Sequence, residues 1–238
     1  MKTLNPLLIA RAAGTGLMCF LLMLLSSCLK DHNTYIAPPT TALLMVVQAS
    51  ADAPAENLYL NADRVNAQPL NYEDYIGYFN AYTGKRQVIL YNSTTSAQIV
   101  ADSIHLNPNI VYTLFLANTY THPDLILLTD SVPIPAIGKA AIRFVNVSPD
   151  AGTVDLATGS TTVLINGQPY KGASSFIPVT GDSLYNFSFR VHGSSTVIAS
   201  LNSVRIHNNS VYTVWLRGLA AGSGTQKVSG GILYNAHF

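Results

Sequence analysis

From residue 42 onward the apolar positions fall in short runs, either alternating with polar ones or continuous, and no helical apolar period lasts three turns. Such runs predict strands. Leu43–Ala49 and Ala141–Val147 are mostly apolar throughout. The others are Leu58–Asn61 and Val163–Asn166, Gln87–Tyr91 and Asn186–His192, Gln98–Leu106 and Val197–Ile206, Val111–Ala117 and Val211–Arg217, and Leu125–Thr129 and Gly231–Tyr234. Turn residues punctuate them: Thr83-Gly84 and Thr180-Gly181, Asn107-Pro108-Asn109 and His207-Asn208-Asn209, and Asn166-Gly167, which reads as a hairpin turn.

The runs come in pairs because the chain repeats itself. Val46–Ala53 and Phe144–Ala151 open two units at an offset of 98, and Ser103–Leu114 matches Ser203–Val214 at an offset of 100. A near-constant offset at both ends marks a duplicated unit of about 95 residues, the size of a small sandwich domain. The expected fold is all-β. Two tandem antiparallel β-sandwiches, immunoglobulin-like or prealbumin-like, occupy residues 42–131 and 139–238, and the proline-bearing segment 132–138 is a stiff linker between them.

The beginning of the chain follows another pattern. Lys2 and Arg11 precede the apolar core Leu17–Leu25, too short to span a bilayer, which takes about 20 residues, but suited to a signal peptide. The core ends in Leu25-Ser26-Ser27-Cys28, which resembles the lipobox of bacterial lipoproteins. That resemblance implies removal of residues 1–27, lipid on Cys28 and the membrane as a partner. Each buried CH₂ of an acyl chain contributes about 0.8 kcal/mol, so several chains on one residue hold firmly. Residues 28–41, mostly polar and holding Pro38-Pro39, read as a tether. Leu29 stands where aspartate would, by similarity to enterobacterial sorting, retain the protein in the inner membrane. The expected address is therefore the cell envelope, lipid-anchored to the outer membrane on its periplasmic face or at the cell surface.

Composition narrows the chemistry. Residues 28–238 hold 11 basic and 12 acidic side chains, a net charge of −1, which argues against nucleic acid as a partner. Of the two cysteines, Cys19 leaves with the signal and Cys28 is the lipid attachment, so no disulfide, thiol nucleophile or cysteine metal site is expected.

The opening Ala49-Ser50-Ala51-Asp52-Ala53-Pro54, followed by Leu58-Tyr59-Leu60-Asn61, is similar to the start of the domain-of-unknown-function 4397 family. The second unit keeps Ser148-Pro149-Asp150-Ala151 and Val154-Asp155, then inserts residues before Val163-Leu164-Ile165-Asn166-Gly167. The first unit departs in having Ala51 for proline and Ala62 for glycine. Over residues 42–236 the resemblance implies two tandem copies in a Bacteroidota-type lipoprotein, a sandwich fold and a role in the envelope. It implies no reaction.

Catalytic motifs are absent: there is no Gly-x-Ser-x-Gly, phosphate-binding loop, His-Glu-x-x-His or EF-hand loop. The six histidines do not pair at metal-ligand spacing, so no metal or cofactor is expected. Asp52 and Asp150 hold equivalent places after the first strand of each unit and read as side chains capping their own turns. The best candidate for ligand binding is the aromatic cluster Asn71–Tyr82, with Tyr72, Glu73, Asp74, Tyr75 and Tyr78 as its residues. Tyrosine beside acid and amide groups suits a sugar ring or a protein contact, whereas Phe79 and Tyr82 read as core. Asp102-Ser103-Ile104, Asp130-Ser131-Val132 and Asp182-Ser183-Leu184 resemble the Bacteroidota O-glycosylation acceptor and mark Ser103, Ser131 and Ser183. The reading is a non-enzymatic envelope lipoprotein, a binding or structural accessory. One alternative is a carbohydrate-binding or glycan-processing accessory, and another is an adhesin or a subunit of an outer-membrane complex.

Overall fold

Two kinds of strand follow from the two kinds of apolar run. The computed structural model describes residues 40–159 and 162–238; Cys28, the signal segment and most of the tether lie outside the described residues. The first repeat forms β1 (Thr41–Gln48), β2 (Glu56–Leu60), β3 (Asp63–Arg64), β4 (Tyr75–Tyr82), β5 (Gly84–Asn92), β6 (Gln98–Leu106), β7 (Val111–Thr119) and β8 (His122–Thr129). The second forms β9 (Lys139–Asn146), β10 (Val154–Thr158), β11 (Thr162–Gln168), β12 (Ile177–Thr180), β13 (Ser183–Val191), β14 (Val197–Ile206), β15 (Ser210–Arg217) and β16 (Ser229–His237). One 3₁₀ turn, Gly224–Gln226, is the only helical element among the described residues.

Each repeat is a sandwich of two four-stranded sheets. In the first, an inner sheet of order β4-β1-β7-β8 faces an outer sheet of order β3-β2-β5-β6; in the second, β12-β9-β15-β16 faces β11-β10-β13-β14. The sandwich fold expected from the sequence is the one observed. Most pairings are antiparallel, but β1 runs parallel to β7 and β9 parallel to β15. In the outer sheets a strand such as β2 alternates buried and half-buried positions, because one face meets the core and the other is nearer to water. Strands at the centre of the inner sheets, such as β7, β9 and β15, are buried at nearly every position.

That difference arises because the two inner sheets pack against each other. Leu44, Val46, Leu114 and Leu116 point into the first sandwich, and Ile142, Phe144, Val214 and Leu216 into the second. The opposite faces of the same strands bring Met45, Val47, Phe115, Val145 and Trp215 into a third core between the sandwiches. The result is four stacked sheets within one compact unit. Phe115 and Trp215 lie at the centre of this seam with ring centroids 5.7 Å apart. Gly231 on β16 is required there, since a Cβ at that position would overlap the Trp215 and Arg217 side chains.

Three expectations change at the level of strands. Val154–Thr158, not Val163–Asn166, is the counterpart of β2, because both β2 and β10 pair with the long fifth strand of their repeat. Asn166-Gly167 does not turn a hairpin. It lies within β11 as a bulge, where Val154 faces Gln168 and Leu156 faces Ile165, with Gly167 at φ +60°. Strands β4 and β12 form edges of the inner sheets where the sequence pattern predicts none.

Candidate functional site

The aromatic cluster lies on β4 and the loop before it, and the structure divides its residues between three tasks. Tyr72 and Glu73 reach the second sandwich. The Arg217 guanidinium sits 5.9 Å from the Tyr72 ring centroid and 2.8 Å from Glu73 Oε1. Burial pushes the Tyr72 hydroxyl above its ordinary pKa, with Arg217 opposing. Asp74 serves its own loop, accepting hydrogen bonds from the Asn71 amide at 2.8 Å and side chain at 2.9 Å. Tyr75 remains exposed, as does Tyr82, the residue read as core.

Tyr78 belongs to a closed ring of hydrogen bonds across the seam. Its hydroxyl donates to Asp130 Oδ2 at 2.6 Å and accepts from Asn235 Nδ2 at 2.8 Å. Asn235 Oδ1 accepts from the Thr213 hydroxyl at 2.8 Å, and Thr213 accepts from Arg143 Nε at 2.9 Å. Arg143 Nη2 closes the ring on Asp130 Oδ1 at 2.5 Å, both side chains being excluded from water. The Thr113 hydroxyl donates to Asp130 at 2.6 Å as well. Burial raises the Tyr78 hydroxyl strongly, and the Asp130 carboxylate adds to the effect. A buried ion pair is tolerated when hydrogen bonds support it, and here Asp130 Oδ2 accepts from Tyr78 and Thr113 while Oδ1 faces the Arg143 guanidinium.

The counterparts of the cluster in the second repeat make matching contacts. The Tyr170 hydroxyl donates to Asp124 Oδ2 at 2.8 Å, and Lys171 Nζ lies 2.8 Å from Asp124 Oδ1. Burial and the neighbouring carboxylate both raise the Tyr170 hydroxyl, and Phe176 lies under the Arg143 guanidinium at 4.9 Å. The cluster's chemistry is thus spent largely on joining the two sandwiches.

Asp52 and Asp150 cap loops other than their own. Asp52 Oδ1 accepts the Tyr120 amide at 2.7 Å, and Asp150 accepts the Ala220 and Ala221 amides at 2.7 and 3.1 Å. Each ties the turn after the first strand to the loop after the seventh. Of the marked serines, Ser131 is exposed beside the buried Asp130, whereas Ser103 on β6 and Ser183 on β13 are half-buried. No group of three or more His, Cys, Asp or Glu side chains converges among the described residues. His192 instead meets Asp155 at 2.8 Å. Burial acts to raise the Asp155 carboxyl, but the Gly167 amide and His192 hold it below its ordinary range.

A groove that sequence reasoning missed lies at the open edge of the first sandwich, where the short β3 and the edge strand β4 stand one above the other. Leu60, Val65, Ile76 and Phe79 form its floor, and Asp63, Asn80, Tyr82 and Arg86 its rim, around a cavity of about 340 Å³. Tyr82 is 54% exposed, and Arg86 lies 5.9 Å from its ring centroid while donating to the Tyr82 carbonyl at 2.9 Å. The spacing of Asp63 from Tyr82 gave no signal in the sequence, because only the stacking of two sheet edges joins them.

Residues 42–157 match the family described as Domain of unknown function (DUF4397). The match takes in the first sandwich and runs into β10, and it supports the family resemblance over that range. No curated protein matches the chain. Among solved structures, the chain is similar to CBMbc, a family 26 carbohydrate-binding module from Eubacterium rectale Amy13K in complex with maltoheptaose, at 10% identity and a TM-score of 0.27, covering 82% of this chain and 97% of that one. It is also similar to family 41 carbohydrate-binding modules from streptococcal virulence factors, at 13% identity and a TM-score of 0.24, with coverage of 82% and 97%.

One carboxyl away from the groove is strongly perturbed. Glu56 is 2% exposed, and burial raises its pKa to about 8, with the hydrogen bond from Gln48 opposing. An unfolded glutamate ionises near 4.5, whereas this one holds its proton to about 8, so the folded state binds more protons in between and stability falls as pH rises across that window. Glu56→Gln is expected to remove a loss of about 2–4 kcal/mol between pH 4.5 and 8, read by urea unfolding at a series of pH values. Parallel curves for the variant and the wild type would contradict this.

Proposed function

We propose that the protein is a non-catalytic binding accessory of the cell envelope, held by lipid on Cys28, that presents the groove between β3 and β4 to a saccharide. The observation that carries this reading is the makeup of the groove. A sugar offers an apolar ring face and a periphery of hydroxyls, and the site offers an exposed Tyr82 ring and an apolar floor ringed by a carboxylate, an amide and a guanidinium. The size falls in the range of small-molecule sites, about 300–1,000 Å³. The seam supports the reading indirectly, since β4, which lines the groove, is held on its other face by Tyr78 and the second sandwich.

Binding fits these groups better than hydrolysis does. Glycoside hydrolysis ordinarily uses two carboxyl groups about 5–10 Å apart. Asp63 is the one carboxylate lining the groove among the described residues. Glu73 is committed to Arg217 and Asp74 to its own loop. The envelope address rests on the lipobox ending at Cys28, and no helix among the described residues is long and apolar enough to cross a membrane.

Two measurements bear on the proposal. The full chain in detergent is expected to bind a subset of glycans on an array, with Tyr82→Ala weakening binding by about tenfold and Tyr75→Ala leaving it unchanged. An array without a hit, or binding indifferent to Tyr82→Ala, would count against the saccharide. In a host that acylates lipoproteins, the wild type is expected in the membrane fraction and Cys28→Ala in the soluble one. A Cys28→Ala protein that stays membrane-bound would count against the anchor.

A further inference from the structure

Contacts across the seam come in reciprocal sets, as in a dimer with a two-fold axis. Phe115 and Trp215 hold equivalent places in their repeats and touch each other. Tyr72-Glu73 of the first repeat lie against Arg217 of the second, and their counterparts Tyr170-Lys171 lie against Asp124 of the first. The faces that meet are themselves built alike: within the first repeat Thr113 donates to Asp130, and within the second its counterpart Thr213 donates to Asn235. The geometry is that of two like partners, but the charges are not alike. Glu73 answers to Lys171, Met45 to Arg143, Ala117 to Arg217, and Asp130 to Asn235.

We infer that the chain is a fused pseudo-symmetric dimer whose inner sheets accept only the unlike copy: the partner of each sandwich is the other repeat and not a second copy of itself. In the observed pair every seam charge has a counter-ion. Arg143 meets Asp130, Arg217 meets Glu73, and Lys171 meets Asp124. Two first repeats joined through the same faces would set Met45 where Arg143 now stands, leaving two buried Asp130 carboxylates without a cation, and would bring Glu73 to Asp124. Two second repeats would set Asn235 where Asp130 now stands, leaving two buried Arg143 side chains without an anion, and would bring Lys171 to Arg217. The half-exposed Glu73 and Lys171 add little affinity to the unlike pair but oppose both like pairs. The buried pair discriminates most, because a buried charge stripped of its partner is strongly destabilising.

The full chain carrying a protease site between the exposed residues Ile134 and Ile137 provides the test. It is folded, cleaved, unfolded in urea, refolded as a mixture and weighed by native mass spectrometry. Unlike pairs are expected, with like pairs at least about a hundredfold rarer. A statistical mixture of like and unlike pairs overturns the inference. The cleaved protein kept native gives an independent answer that does not depend on refolding. Arg143→Met and Asp130→Asn should each weaken retention of the two fragments by about a hundredfold, and the combined variant, free of buried charge, should regain at least about tenfold of that loss. Effects that multiply without any recovery in the combined variant also overturn it.

Discussion

The central strands of the inner sheets have almost no face left for water, and the rest of the molecule is arranged around that constraint. A sheet in a lone sandwich buries one face and wets the other. Here β1 and β7 bury Leu44 and Leu114 on one side and Met45 and Phe115 on the other, and β9 and β15 do likewise. Apolar burial supplies the attraction between the repeats, and the ring from Tyr78 through Asp130, Arg143, Thr213 and Asn235 supplies its register. A buried ion pair contributes little net stability against an apolar replacement of the same shape, but it penalises any arrangement that separates its partners. The two roles therefore fall to different residues within one seam.

This division decides which surfaces are left for function. Tyr72, Glu73 and Tyr78 are engaged by the second repeat, and Tyr170 and Lys171 by the first, so the chemically richest segment of the sequence works as internal adhesive. The groove beside β4 and β3 remains open, lined by Tyr82 and Asp63 around an apolar floor. Strand β4 thus faces two ways: toward the seam through Tyr78, and toward the first core and the groove through Ile76 and Phe79. A ligand held in the groove would rest on a strand whose other side is fixed by the second sandwich.

The sandwich fold was legible because alternation and turn residues report directly on strands packed on one side, as β5, β6, β13 and β14 show. The near-continuous apolar runs Leu43–Ala49 and Ala141–Val147 also carried a sign of two-sided burial, since a strand wetted on one face needs polar residues at alternate positions. What they could not name was the partner covering the second face. The aromatic cluster was legible as unusual, but an amphipathic tyrosine suits a ligand site and an interface equally. Arg143 carried no signal in the sequence, and Asp130 stood out only as a neighbour of Ser131, because their pairing depends on two sheets meeting face to face. Asn166-Gly167 carried a true glycine signal for positive φ, and only the pairing partner distinguishes a bulge from a turn. The groove had no local signature, since β3 is two residues long and its counterpart across the groove lies on another sheet.

Trp215 is the one tryptophan of the chain, and it is buried in the seam. Its emission therefore reports separation of the sandwiches, while far-UV circular dichroism reports loss of the strands themselves. The most direct test is equilibrium urea unfolding of the full chain followed by both signals. If the two inner sheets depend on each other for burial, the transitions coincide in midpoint and slope, as for a single cooperative unit. A red shift of Trp215 emission at lower urea, with the strand signal intact, would mean that the sandwiches part while still folded, and that the seam is not what the structure depends on.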